Sequence, residues 1–274
     1  RLVASRGRGV AATLQTAVDL ARGDLLARMD ADDISLPGRV RRAAETLRSD
    51  ATLGAVGTRV ALDGATGEGM ERYVTWQNAL VTPDDHRREL FVESPLCHPS
   101  VVVRRAALSS VGGYRECAWP EDWDLWLRLD AAGWAMAKVP EALFVWTHRA
   151  ERVTFTDPRC ALERLTDARA RYLPARLESI ARGRDLAVWG AGRTGRQLAR
   201  ALEAHGLRAR LFIDIDPRKI GRIARGARIV GASELDRTRH VTLVAVGARG
   251  ARALVRGHLT GRGFIEGVDW LAAS

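Results

Sequence analysis

The sequence predicts an α/β chain built in two units, each with a strand tip that carries chemistry. Three observations carry that expectation. Helix and strand signals alternate over residues 1–150. A carboxylate run, Asp30-Ala31-Asp32-Asp33, follows the short apolar stretch Leu25-Leu26-Ala27. Further on, Gly190-Ala191-Gly192-Arg193-Thr194-Gly195 lies between the apolar Leu186-Ala187-Val188-Trp189 and a helical stretch. Open α/β sheets bind ligands beyond the carboxyl ends of their strands, which makes both tips candidate sites.

The elements follow in chain order. Gly9 to Asp24 reads as an Ala-rich helix closed by Gly23. Leu25-Leu26-Ala27 is a short strand, and Pro37 suits the first turn of the next helix. Gly54 to Leu62 is a strand that runs into the turn Asp63-Gly64-Ala65-Thr66-Gly67. Residues 121–132 form an amphipathic helix, with Trp123, Trp126, Leu127 and Leu129 toward one side. Residues 157–182 are helical and Arg-rich, with Pro174 interrupting or bending them, and Gly183 ends the segment. The expected organisation is a first domain over 1–150, a helical connector over 151–183 and a second domain over 184–274.

The second domain starts with the strand Leu186–Trp189, the glycine loop and a helix to about Ala204. Leu207 to Ile213 is the next strand and ends at Asp214-Ile215-Asp216-Pro217; Val241 to Gly247 is a third, with a helix from Arg249 to Leu259 after it. This is a Rossmann-like βαβ order. Glycines there let a phosphate approach the helix N-terminus, and an acid near the end of the second strand, Asp214, completes the fingerprint. Gly190, Gly192, Gly195 and Asp214 are therefore candidate ligand residues. The third glycine also fits a purely packing role.

With 274 residues the chain can form two modest cores. No run of about 18 apolar residues predicts a spanning helix. Cys97, Cys117 and Cys160 show no metal-ligand spacing, which fits a reducing, cytosolic setting. The net charge of +10 is uneven: residues 184–274 hold 17 basic against 8 acidic residues, and residues 1–183 hold 26 against 25. Only Lys138 and Lys219 are lysines. The Arg excess reads either as a compositional bias on solvated surfaces or as a pull on anions such as nucleotides or phospholipid headgroups. Few aromatics interleave with it, which argues against nucleic-acid stacking.

Three carboxylates on one turn repel each other unless a cation or hydrogen-bond donors offset the charge. A solvated acidic turn capping the next helix is the plain reading; a hard divalent metal with a diphosphate is the functional one. Further on, Glu121 and Asp122 open the Trp-rich helix, where acids favour the helix dipole, and Trp119 and Trp123 flank them. Partial burial there would raise the proton affinity of Asp122 and suit it to take a proton. A cap position and a catalytic one are compatible.

The order helix, Gly stop, strand, Asp cluster and Pro-started helix resembles the family 2 glycosyltransferases of the GT-A fold. The resemblance continues through His98-Pro99-Ser100-Val101-Val102-Val103-Arg104-Arg105, Gly112-Gly113-Tyr114-Arg115, Pro120-Glu121-Asp122-Trp123-Asp124-Leu125-Trp126, and Leu143-Phe144-Val145-Trp146-Thr147-His148-Arg149. It covers residues 1 to about 150 and implies a partial GT-A domain. In that family an Asp-x-Asp motif holds the metal and the ribose-diphosphate of a nucleotide-sugar. The resemblance therefore implies Asp32 as metal ligand, Asp30 as ribose or outer metal partner, and Asp33 as a further ligand or a helix cap. Mg²⁺ or Mn²⁺ suits all-oxygen ligands. It implies Asp122 as the base and Glu121 as a loop or acceptor contact, in an inverting transfer. His148 is a metal or diphosphate candidate or else structural, and Arg149 and Arg152 are diphosphate clamps. His98 lines the acceptor pocket or sits in the core, and Trp123 is a pocket candidate.

The expected partners are a nucleotide-sugar donor and a glycan or lipid-linked acceptor of cell-surface polysaccharide assembly. Nucleic acid is not expected. The expected location is cytoplasmic, with a peripheral contact at the inner face of the membrane. The alternative is a nucleotide- or nucleotide-sugar-binding regulatory or scaffold module centred on 184–274. The chain opens on Arg1 where a complete GT-A domain would already be under way, so roughly 50 to 80 residues of the domain are expected to precede it.

Overall fold

The computed structural model describes residues 2–64, 67–148 and 157–274. The turn residues Ala65 and Thr66, the clamp candidates Arg149 and Arg152, and the first part of the expected connector lie outside them. The chain divides into two compact units: Arg1–Leu90 with Ser94–Ala161, and Phe91–Glu93 with Leu162–Ser274.

The first unit runs α1 (Val10–Leu20), β1 (Leu25–Ala27), β2 (Ile34–Ser35), α2 (Arg39–Ser49), β3 (Leu53–Asp63), α3 (Glu68–Ala79), α4 (Pro83–Glu89), β4 (Val102–Arg104), α5 (Arg105–Ser110), α6 (Glu121–Ala131) and β5 (Ala135–Thr147). Its sheet has the order β1-β4-β3-β5-β2. The long strands β3 and β5 run parallel at its centre with register shifts near Leu53 and Arg59. Here β1 is a sheet-terminal strand, antiparallel to β4. The α2 residues Ala43 and Leu47 pack with Leu53, Val56, Val102, Ala137 and Val139. On α6 the apolar residues are buried around most of the helix: Trp123, Leu125, Trp126, Leu127 and Leu129 are each at most 1% exposed. Each such side chain contributes about 1.5–3 kcal/mol by leaving water, which fixes the helix whose first turn carries Glu121 and Asp122.

Two expectations shift here. Pro37 precedes the helix instead of opening it, because Gly38 (φ 89°) is the N-cap and Arg39 the first helical residue. Asp33 does not cap that helix, since its carboxylate is bonded elsewhere.

The second unit runs α7 (Leu162–Ala181), β6 (Asp185–Trp189), α8 (Arg193–Glu203), β7 (Leu211–Ile213), β8 (Ile223–Ala224), β9 (Ala227–Val230), β10 (His240–Val244), α9 (Ala251–Gly261) and β11 (Trp270–Ala272). Its sheet order is β11-β10-β6-β7-β9-β8, parallel except for β8. Numbered among the parallel strands alone, this is 5-4-1-2-3, the doubly wound order with its switch point beside β6. Helix α7 belongs to this unit and runs through Pro174. Its buried Arg169 donates to the carbonyls of Phe91 and Val92.

The second strand is shorter than Leu207–Ile213. The Leu207 N–H is taken by the Leu202 carbonyl at the end of α8, so the chain reaches the sheet only at Leu211. Likewise β10 ends at Val244, three residues before Gly247.

Candidate active site and glycine loop

β1 delivers the chain to Arg28, whose N–H donates to the Val101 carbonyl at 3.0 Å. Beyond it Asp30, Asp32 and Asp33 turn back on themselves, and one oxygen from each carboxylate lies within 4.8 Å of the others. Asp30 is paired with Arg28 at 2.7 Å. Asp33 is 7% exposed and accepts the Thr147 N–H at the end of β5 at 2.9 Å. Asp32 is exposed. This donor set suits a hard divalent cation: all ligand atoms are oxygen, two carboxylates are braced and the third faces outward.

The loop is held from beneath by Arg39, which is 3% exposed. Its Nη1 donates to the carbonyls of Arg28 and Pro99, each at 3.2 Å, and its Nε donates to Ser35 Oγ at 2.7 Å. Its guanidinium lies 5.3 Å from the Phe144 ring centre. Burial lowers its pKa from the ordinary value.

Glu121 and Asp122 are the first two residues of α6, after the N-cap Pro120. Asp122 accepts Ser94 Oγ–H at 3.0 Å and a bond from the Trp123 N–H. It keeps some solvent-facing surface, yet it is enclosed enough that burial pushes its pKa up. Burial and then the neighbouring Asp122 charge push Glu121 up as well. Arg159 lies 3.5 Å from Glu121 and also pairs with Asp157 at 2.6 Å and Glu116 at 3.8 Å. His98 Nδ1 is 3.8 Å from Glu121, and its Nε2 bonds Tyr114 Oη at 2.9 Å. Burial, then the Arg28 charge, holds His98 well below its usual pKa, so this histidine is neutral.

The structure thus gathers Asp30, Asp32 and Asp33 in one cluster and Glu121, Asp122 and His98 in another. The charge of Arg28 acts on His98, Tyr114, Glu121 and Asp122 while its side chain pairs with Asp30. His148 follows Thr147, the partner of Asp33, but stands outside the three-carboxylate cluster; its N–H donates to the Asp63 carbonyl at 2.7 Å. Trp123 points into the core, 1% exposed, with its Nε1–H on the Leu90 carbonyl at 2.8 Å. Trp119, before this end of α6, is only partly buried.

Sequence reasoning missed Arg28, Ser94 and Arg159. Arg28 was findable as a local partner, because a basic side chain two residues before Asp30 in the same loop can reach its carboxylate. Nothing in the local sequence marks Ser94, which reaches Asp122 across 28 positions.

In the second unit, Gly190 has φ 117°, and a Cβ there would sit 2.3 Å from the Ala245 carbonyl oxygen. A Cβ on Gly195 would meet the Gly190 carbonyl oxygen at 1.8 Å, whereas one on Gly192 would meet nothing within 4 Å. The first and third glycines are thus needed for packing, and the second faces open space. Asp214 accepts the Ala191 N–H at 3.0 Å, the Asp216 N–H at 2.9 Å and Lys219 Nζ at 3.0 Å. Its carboxylate braces the glycine loop, and these bonds hold its pKa below the ordinary value despite burial.

The chain is 28% identical over 140 residues to the amylovoran biosynthesis glycosyltransferase AmsE of Erwinia amylovora, covering 49% of each chain. It is 29% identical over 139 residues to the putative glycosyltransferase EpsE of Bacillus subtilis, covering 49% of this chain and 47% of EpsE. The chain therefore spans about half the length of the curated relatives it matches. Among solved structures, Staphylococcus aureus TarS 1–349 in complex with UDP-GlcNAc aligns at 15% identity and TM-score 0.45, over 73% of this chain and 53% of that one. The mannosyltransferase PcManGT of Pyrobaculum calidifontis, in complex with GDP-Man and Mn²⁺, aligns at 19% identity and TM-score 0.38, over 73% and 49%. Residues 2–112 match the family described as Glycosyl transferase family 2.

Proposed function

We propose that the first unit transfers a sugar from a nucleotide-sugar to a hydroxyl of a glycan or lipid-linked acceptor, with inversion at the anomeric carbon. The observation that supports this most is the pairing of a three-carboxylate turn with a second, enclosed carboxylate pair in one unit, with Arg28 charged between them. Asp32 and Asp30 would hold Mg²⁺ or Mn²⁺, with Asp33 fixing the turn and His148 adjacent. The ion's part would be to offset the charge of the leaving diphosphate. Asp122 would take the proton of the acceptor hydroxyl as its oxygen bonds to the anomeric carbon and the bond from that carbon to the diphosphate oxygen breaks. Burial makes Asp122 a stronger base than a solvated aspartate, and Ser94 orients it. Glu121 would orient the acceptor side, with its charge answered by Arg159.

Calorimetry with Mn²⁺ and a panel of nucleotide-sugars tests this reading. Wild type binds a donor only with the metal, and Asp32→Asn loses that binding. Equal binding by the variant removes Asp32 from the site. Among the described residues no helix is long and apolar enough to cross a membrane.

A second reading concerns the other unit, and its support is the strand order with the glycine loop beside the switch point. There, residues 190–195 would bind a nucleotide or another phosphorylated ligand over Gly192. Gly192→Val would block the site while leaving the fold intact. Titration of nucleotides followed by amide shifts reads both.

A further inference from the structure

Lys138 sits on β5 and is 3% exposed. Its Nζ donates to two backbone carbonyls, that of Gln77 on α3 and that of Pro95, the latter at 3.4 Å. Among the described residues its charge is answered by no carboxylate. The groups that act on it are Cys97 beside the Pro95 turn and Arg59 on β3, and its own charge acts on His86 of α4. Burial pushes its pKa down to about 7. Replacing a buried ion by an apolar chain of similar volume is often neutral or stabilising, so packing alone does not call for an amine here.

The bonds it makes belong to a clamp. Gln77 is fully buried, and its Nε2 donates to the Ser94 carbonyl at 3.3 Å and to Tyr73 Oη at 2.9 Å. Tyr73 Oη–H donates to the same Ser94 carbonyl at 2.9 Å. Three side-chain donors thus converge on two consecutive carbonyls, those of Ser94 and Pro95. Lys138 reaches this clamp twice, on Pro95 directly and on the backbone of Gln77. A chain pinned at both carbonyls has little freedom left, and the side chain it carries is aimed. Here that side chain is the Ser94 hydroxyl, which donates to Asp122 at 3.0 Å.

We propose that Lys138, with Gln77 and Tyr73, is a positioning residue for Asp122 and acts through the pinned backbone of Ser94 and Pro95. The clamp keeps the Ser94 hydroxyl on the Asp122 carboxylate and so fixes the direction in which that carboxylate faces. The proposal rests on the reading of Asp122 as the base. It adds to that reading three residues that act on the base only through the chain they hold.

Titration of Asp122 by carboxyl ¹³C NMR tests it, in a Glu121→Gln parent so that one carboxyl of the pair titrates. Ser94→Ala raises the midpoint by about one pH unit, because a hydrogen bond that favours the ionised form is lost. Lys138→Met raises it by about half a pH unit or more. Tyr73→Phe keeps the ring that meets Trp76 and Trp146, and it moves the midpoint the same way. Added to Ser94→Ala, neither change moves the midpoint further. Either variant, folded and titrating as the parent does, overturns the proposal, and Tyr73→Phe decides alone if Lys138→Met does not fold. A full shift added on top of Ser94→Ala also overturns it, because the clamp would then act by charge or by a general loosening of the core. The titration needs no substrate. If the shifts occur but the wild type transfers no sugar from a nucleotide-sugar with Mn²⁺, the base role of Asp122 fails and the positioning of its carboxylate stands.

Discussion

At the tip of β1 three carboxylates crowd within 4.8 Å, and the chain holds them there with groups from distant segments: Arg39 on α2 and Thr147 at the end of β5. At the tip of β6 the loop is six consecutive residues, braced by one carboxylate, Asp214. The first arrangement concentrates charge that the surrounding structure must offset. The second presents backbone and open space, and its demands are steric. The two sites should therefore fail differently: the first by loss of chemistry with little loss of fold, the second by loss of fold wherever a glycine is spent on packing.

The largest expected effect is at Asp122. Asp122→Asn should lower turnover on the natural acceptor by about 10² or more, the range for losing a general base. The same change should raise the melting temperature. A carboxyl whose folded pKa is raised binds its proton more tightly when folded, so it favours folding at low pH and loses that benefit as pH rises. Removing the charge should help more at about pH 8 than at about pH 4. Calorimetric melts at both pH values check this, and an equal gain at both would mean that burial of Asp122 is not the cause.

The sharpest contrast within the glycine loop comes next. Gly195→Ala should cost the second unit about 1–3 kcal/mol or more, because its Cβ would overlap the Gly190 carbonyl, and that backbone cannot yield cheaply. Gly192→Val should leave stability within about 0.5 kcal/mol. Urea unfolding followed in the far-ultraviolet separates them, and equal losses would undo the division of the loop into packing and open glycines.

Arg39→Met tests the support of the Asp turn. It strands the Arg28 and Pro99 carbonyls, at a cost of about 1–3 kcal/mol. The loosened turn should bind Mn²⁺ several-fold more weakly by calorimetry. A stability loss with unchanged metal affinity would show that Asp33 and Thr147 hold the turn alone.

The smallest effect is expected away from both sites. His86 on α4 is fully buried, and neither ring nitrogen has a partner among the described residues. Burial, then the Lys138 charge, pushes its pKa down to about 3. Because the unfolded chain takes up a proton that the folded one refuses, His86 costs stability as pH falls from the ordinary 6.5 toward about 3. His86→Leu should flatten that part of the melting profile and gain up to about 1 kcal/mol near neutral pH. An unchanged slope would assign the acid sensitivity to other groups.

What was legible in the sequence was local. Leu25–Ala27 and Leu186–Trp189 are apolar runs bounded by breakers, so strand character can be read from a few neighbours. The Ala-rich helix α1 and the Trp-rich helix α6 show their period in about three turns. The short strands β2, β8, β9 and β11 were not legible, because strands of two to four residues carry almost no period and form only against a partner.

The residue types at the candidate site were also set by the sequence: the Asp run, the Glu121–Asp122 pair and the glycine spacing stand as contiguous motifs. The tertiary structure decided what each of them can do. It buried Trp123 and left Trp119 partly buried, turned Asp214 onto the Ala191 N–H, and brought Ser94 to Asp122 and Arg28 into reach of both acid groups. The physical reason is that burial and electrostatic partnership depend on distance in space. Backbone preference depends on neighbours in the chain, and only that part is written where a sequence can be read.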